Sequence, residues 1–273
     1  MQQALALCLV VAETMYPQLT RINLYPIKSL DPIGVSEAVV LHTGGLSHDR
    51  EYCLRDQQNV IVNSKIADEK LISIRSEFNL GLGDLVLRTD DGPHFFRMPQ
   101  EKHELEKWFS KYLGQPISLS RNVLGGFPDD NKASGPTLVS TATIEETASW
   151  FDGITTEEIR RRFRCNLEID GVPAFWEDHL FESTGGNISF RIGDTTLEGV
   201  KPCVRCAVPQ RDSFSGEIKD SSFVKIFAQR REETLPAWAD RECFDHFYCL
   251  STNSVISQSE AGRVLQVGDA VVL

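Results

Sequence analysis

Gln18-Leu19-Thr20-Arg21-Ile22-Asn23-Leu24-Tyr25-Pro26-Ile27-Lys28-Ser29 is a β-strand that runs into a proline-stiffened turn. Apolar and polar residues alternate as far as Tyr25, and Pro26, with its fixed φ and no amide hydrogen, then presents Lys28 and Ser29 together. Working outward, residues 34–41, 51–55, 59–62, 71–78 and 84–89 are further short β-branched or alternating runs, separated by Gly, Pro, Asp and Asn. Strands at that spacing predict a barrel or a sandwich. Between Pro99 and Gly114, Leu105, Trp108, Phe109, Tyr112 and Leu113 fall on one helical face, which predicts an amphipathic helix closing a first sub-domain around an aromatic core.

Residues 121–136, with Gly125-Gly126 and Phe127-Pro128-Asp129-Asp130-Asn131, resist regular structure and read as an exposed connection, so the domain boundary is placed there. A strand is expected at 137–140. A helix from Thr143 follows, because Thr143 and Glu146 have capping-box spacing, and Thr155 and Glu158 repeat that spacing before a second helix. Strands return at 166–169, 188–192, 195–200, 248–250 and 268–273. The fold class expected is mostly β (α+β): a β-barrel-like domain over 16–120, a second β-barrel domain over 121–273, and a few peripheral helices.

The 273 residues, 41% hydrophobic and 25% charged, are ample for two sub-domains with their own cores. A net charge of −11 argues against nucleic acid or an anionic membrane as partner, so an anionic ligand needs a local basic pocket. The seven cysteines form an odd set without the spacing of a secreted disulfide scaffold, which points to a reducing cytoplasm. The apolar run at 4–12 is too short to span a bilayer and lacks the basic flank of a signal peptide; residues 1–15 are expected to be an extension ahead of a natural start at Met15. The six histidines have no metal-ligand spacing among themselves. Trp176-Glu177-Asp178 fits either a pocket mouth or a half-buried tryptophan beside solvated acids.

Two elements carry chemistry. In Lys201-Pro202-Cys203-Val204-Arg205-Cys206 two thiols flank a guanidinium, a setting that favours the thiolate and suits a soft metal. On spacing alone, two half-buried thiols at a turn explain the pair equally well. In Arg160-Arg161-Arg162-Phe163-Arg164-Cys165-Asn166, four arginines gather where a helix gives way to a strand, more than a helix C-terminus requires. Arg164 and Asn166 have the donors and acceptors to hold a phosphorylated ring compound. His48-Asp49-Arg50-Glu51 reads as a strand entrance with an ion pair.

Together, Tyr-Pro-Ile-Lys-Ser at 25–29, Asp49-Arg50, Arg-Phe-Arg-x-Asn at 162–166, Cys-x-Arg-Cys at 203–206 and Val267-Gly268-Asp269 resemble the molybdenum cofactor sulfurase C-terminal (MOSC) domain preceded by its N-terminal β-barrel partner. The similarity runs from Tyr16 to Leu273, and among members of the family it is strongest to the amidoxime-reducing components and their bacterial relatives. The resemblance implies a molybdenum–molybdopterin cofactor, independent of pyridoxal phosphate. It makes Cys206 the metal ligand and catalytic residue, and Lys28, Ser29, Arg50, Ser140, Arg164, Asn166 and Arg205 the cofactor-binding residues, with Lys65 near a further basic position. It also implies a cytoplasmic oxidoreductase that reduces small N-hydroxylated compounds by oxygen-atom transfer. Its electrons would come from a separate protein of ferredoxin, flavodoxin or cytochrome type, since no cysteine-rich extension follows Leu273. Cys165 stands where the family commonly has proline, and Phe244-Asp245-His246-Phe247 departs from its pattern, leaving cofactor contacts from Phe247 or Tyr248 open. Two other readings stand beside this one: a cofactor or sulfur carrier without turnover, and a structural zinc site made by Cys203 and Cys206 with Cys243 and Cys249 or His246.

Overall fold

In the computed structural model, which describes residues 16–273, the strand Gln18–Leu24 buries Leu19, Ile22 and Leu24 and turns Gln18 and Arg21 outward, its alternation interrupted by a register shift between Leu19 and Arg21. The expected extension at 1–15 lies outside the described residues. Gln18–Leu24 does not stay within the first half of the chain. It pairs antiparallel with Leu167–Asp170 on one side and with Ile33–Val35 on the other.

Those strands belong to an eight-stranded sheet. Its order is Val271–Val272, Ile188–Ile192, Thr195–Val204, Cys249–Val255, Leu138–Ser140, Leu167–Asp170, Gln18–Leu24, Ile33–Val35. All neighbours are antiparallel except Leu138–Ser140 with Leu167–Asp170. A bridge from Gln18 to Ala270, with Leu19 N–H donating to Asp269 O and Val271 N–H to Pro17 O at 2.8 Å each, brings Gln18–Leu24 back to the opposite edge. The sheet therefore closes into a barrel, which leaves few unpaired edges. Leu19, Ile22, Leu138, Leu167, Leu197 and Val271 fill its interior.

The first half of the chain adds two three-stranded sheets and the helix Lys102–Leu113 around a second core that includes Leu54, Leu87, Leu105, Phe109 and Leu119. Outside the barrel, the helices Thr141–Ser149, Thr156–Phe163 and Phe223–Glu233 pack through stacked aromatics, with Phe151 on Phe223 at 4.4 Å and Phe163 on Phe227 at 5.2 Å.

Three local expectations need correction. Residues 71–78 are not one strand: the helix Asp68–Ile72 precedes the strand Arg75–Asn79, with Leu71 buried from the helix and Ile74 from the link between them. The first helix after the connection starts earlier than its capping box implied. Ser140 caps it by accepting from Thr143 N–H at 3.0 Å, while Thr143 Oγ1 turns inward to donate to Glu177 Oε2. Glu177 and Asp178 are neither at a pocket mouth nor solvated; both are buried, with Asp178 paired to Arg231.

Candidate functional site

The turn after Gln18–Leu24 is clamped by Lys28 N–H donating to Tyr52 O (2.8 Å) and Tyr52 N–H to Pro26 O (2.9 Å). That clamp aims Lys28 into a cavity of about 490 Å³ lined from both halves of the chain. Lys28 Nζ donates to Phe127 O at 2.9 Å and meets Asp129 Oδ1 at 2.6 Å; burial pulls its pKa down, and Asp129 opposes the shift. Arg50 pairs with Asp49, lies 3.4 Å from Asp129 Oδ2, and is held by Asp49 and Asp129 above its ordinary pKa despite burial.

Arg164 arrives by a different route. Thr155 caps the helix Thr156–Phe163, its hydroxyl accepting from Glu158 N–H, and the helix ends on Arg164 with left-handed geometry, its N–H donating to Arg160 O. This break swings the Arg164 guanidinium over the Tyr25 ring at 4.2 Å, with Arg50 on the same ring at 5.1 Å. Seven non-glycine residues have φ in the left-handed range among the described residues, and three of them, Ser29 (77°), Arg50 (50°) and Arg164 (54°), line this cavity. Strain gathered at one wall is characteristic of functional sites.

Cys206 comes in from the barrel. The strand Thr195–Val204 pairs with Cys249–Val255 through register shifts at Gly199/Lys201 and Pro202/Val204, and such bulges re-aim side chains. Gly199 permits the close approach involved, since a Cβ there would lie 2.0 Å from Leu180 O. The strand ends against a brace. Arg205 donates to Phe163 O (2.7 Å), Leu250 O (2.6 and 3.0 Å) and Ser251 Oγ (2.7 Å), and its Nη2 lies 3.4 Å from Cys165 Sγ. Cys206, directly after this brace, is partly exposed on the cavity wall.

Seven cationic side chains and four carboxylates line the space, a local excess of positive charge in a chain of net charge −11. The donor set suits a ligand that is anionic at one end and carries a soft metal at the other. Of the carboxylates, Asp129 stands among Lys28 and Arg50 where an anion would. Burial would raise its pKa, but Arg50 and Lys28 hold it well below the usual carboxylate range.

Profiles of two known domains match this chain: the MOSC N-terminal beta barrel domain over residues 16–116 and the MOSC domain over 137–272. The chain belongs to the MOSC family. Among curated proteins, this MOSC chain is 25% identical over 304 aligned residues, 93% of its own length, to molybdenum cofactor sulfurase of Oryza sativa subsp. japonica. It is 28% identical over 126 residues, 38% of its length, to molybdenum cofactor sulfurase of Solanum lycopersicum. It covers 35% of the first relative and 15% of the second.

The MOSC fold brings Lys28, Ser29, Arg50, Arg164, Asn166, Arg205 and Cys206 to one cavity, with Lys65 beside them. Ser140 is not among the lining residues; it is buried as a helix cap. Asn166 lines the wall with its amide already engaged: Nδ2 donates to Asn23 O at 3.0 Å, and Oδ1 accepts from Thr137 N–H and Oγ1 at 3.3 Å each. Arg205, likewise, is a brace behind the thiol rather than an open donor. Among the described residues no three or more His, Cys, Asp or Glu side chains come together to hold a metal ion, so the zinc arrangement of the alternative reading is not formed. Cys243 and Asp245 line the cavity, whereas Phe247 and Tyr248 do not.

Sequence reasoning missed Asp129, Asp130 and Lys201, the last two paired at 2.7 Å. The signal available was a pair of acids after Gly125-Gly126, in a loop too acidic to be a neutral spacer beside a basic turn. Among the described residues no helix is long and apolar enough to cross a membrane.

Proposed function

We propose that this chain binds a molybdenum–pterin cofactor in the cavity and uses it to reduce small N-hydroxylated compounds, with electrons from a separate electron-transfer protein. The observation that carries the reading is a partly exposed Cys206 thiol opening onto a cation-rich cavity built from both halves of the chain. When bound, such a cofactor supplies a two-electron metal centre able to accept an oxygen atom from an N–O bond.

The chain's own residues have separable tasks. Cys206 offers the sulfur ligand, and the Arg205 brace fixes the backbone that carries it. Lys28, Arg50 and Arg164 meet the anionic end of the cofactor, where charge-assisted hydrogen bonds are about twice as strong as neutral ones. The Tyr25 ring, which both Arg50 and Arg164 approach, helps position the two guanidiniums. Asp129 keeps the cations compensated and yields its place to the incoming anion.

Protein purified from a molybdopterin-competent host tests the reading: with an N-hydroxylated amidine and an artificial reductant, wild-type protein turns over and folded Cys206→Ala does not. Equal activity in the two proteins refutes it. A second reading, a cofactor-binding module without turnover, is favoured by the similarity to molybdenum cofactor sulfurase. Stoichiometric molybdenum without amidine formation in the same assay selects it.

A further inference from the structure

Behind the wall that carries Ser29 and Arg164 lies a second, smaller pocket, which shares Ser29, Ser64, Arg162, Arg164 and Val208 with the main cavity and adds Arg75 and Arg161, which the proposed function does not use. Five arginines and one carboxylate, Asp31, line it. Two of the arginines have protein partners that account for their charge: Arg162 pairs with Glu158 at 2.6 Å, and Arg211 donates to Gly216 O and lies 3.5 Å from Glu69.

Arg75 and Arg161 differ. Nε and Nη1 of Arg75 are buried without a hydrogen-bond partner, and Asp31 Oδ1 is 3.4 Å from Nη1. The Arg161 side chain makes no hydrogen bond among the described residues, and its ion pair is with the same Asp31 oxygen at 3.9 Å. The other Asp31 oxygen accepts from Ser76 N–H at 2.9 Å. Both guanidiniums lie over one ring, Phe214, at 5.2 and 4.8 Å, and that ring is 56% exposed. Like charges converging on one carboxylate, with two buried guanidinium nitrogens of Arg75 outside hydrogen-bond reach of the protein, make a site suited to an oxoanion. Burial, with Arg161 and Arg164 nearby, also pulls the Arg75 pKa down, as expected of a cation short of compensation.

We infer that Arg75 and Arg161 form an oxoanion-binding subsite for a phosphate-type group, behind the Lys28, Arg50 and Arg164 wall of the main cavity. The pocket's own residues make this subsite whether or not the main cavity takes a molybdenum pterin. The anion has two possible sources: a free oxoanion, or a phosphate carried by a ligand that reaches across the shared wall.

The test uses inorganic phosphate in calorimetric titrations at constant ionic strength, and selenate soaks to locate the anion by anomalous scattering. Selenate density between Arg75 and Arg161, with phosphate affinity reduced at least fivefold in Arg161→Gln, supports the subsite; the partial exposure of Arg161 makes loss of folding in that variant a small concern. Selenate only beside Lys28 and Arg50, no phosphate binding at all, or unchanged affinity in Arg161→Gln overturns it. Repeating the titration on cofactor-loaded protein separates the sources, and both of its outcomes support the site: retained phosphate binding indicates a free oxoanion, and binding lost on loading indicates the ligand's own phosphate.

Discussion

Arg205 and the wall of Lys28, Arg50 and Arg164 are equally basic in sequence and do opposite work in the structure. Arg205 meets acceptors in every direction, two backbone carbonyls and a hydroxyl, so its charge holds together the helix end at Phe163 and the strand at Leu250. Lys28 and Arg50 share one carboxylate, Asp129 on a loop, and all three wall cations face open space. A cation's role follows from the acceptors around it and not from its motif, which is why residues adjacent to a candidate ligand are not automatically ligand contacts.

The largest expected effect breaks the brace. Arg205→Met leaves the Phe163 and Leu250 carbonyls without their charged donor, and should lower unfolding free energy by about 4 kcal/mol in a denaturant titration. A loss below about 1 kcal/mol would make Arg205 a ligand contact after all.

A second comparison sets the buried acid Glu177 against those cations. Burial first, then its neighbour Asp178, pushes the Glu177 pKa up to about 7, and its Oε1 has no hydrogen-bond partner. Because the folded-state pKa lies above the unfolded one, the folded protein keeps a proton the unfolded chain has lost. Stability therefore falls as pH rises from about 4.5 to about 7. At about 1.4 kcal/mol per pKa unit, Glu177→Gln should be roughly 3 kcal/mol more stable than wild type at pH 8 and equal to it at pH 4. Parallel stability–pH curves would contradict this.

Smaller effects sharpen the account of the wall. Lys28→Gln should weaken pterin binding about tenfold, roughly 1.4 kcal/mol, while shifting unfolding free energy by less than about 1 kcal/mol. Pterin fluorescence after equilibrium dialysis, beside a denaturant titration, reads both. Asp129→Asn removes the resident counter-charge and should tighten the same binding about threefold. Weaker binding in that variant would show Asp129 to be a contact rather than a competitor.

Much of the fold was legible where one period dominates. The strands Asp84–Thr89 and Ile188–Ile192 lie where alternation put them, and Thr155 caps its helix as its spacing to Glu158 implied. The helix Phe223–Glu233 was not anticipated, because its buried stripe runs Phe223, Phe227, Arg231, and an arginine at the third position reads as solvent-facing until Asp178 is seen beside it. The strand Gly92–Arg97 was hidden by Pro93, which is tolerated because the strand is at a sheet edge. In the site, the residue types and their convergence were readable. That Asn166 and Arg205 were already engaged was not, since their hydrogen-bond partners come from Asn23, Thr137 and Leu250, remote in sequence.

The central claim is that the Cys206 thiolate is bonded to molybdenum, and X-ray absorption at the molybdenum edge measures it most directly. One fewer sulfur neighbour is expected around the metal in folded Cys206→Ser than in wild-type protein. An identical sulfur count in the two would contradict it.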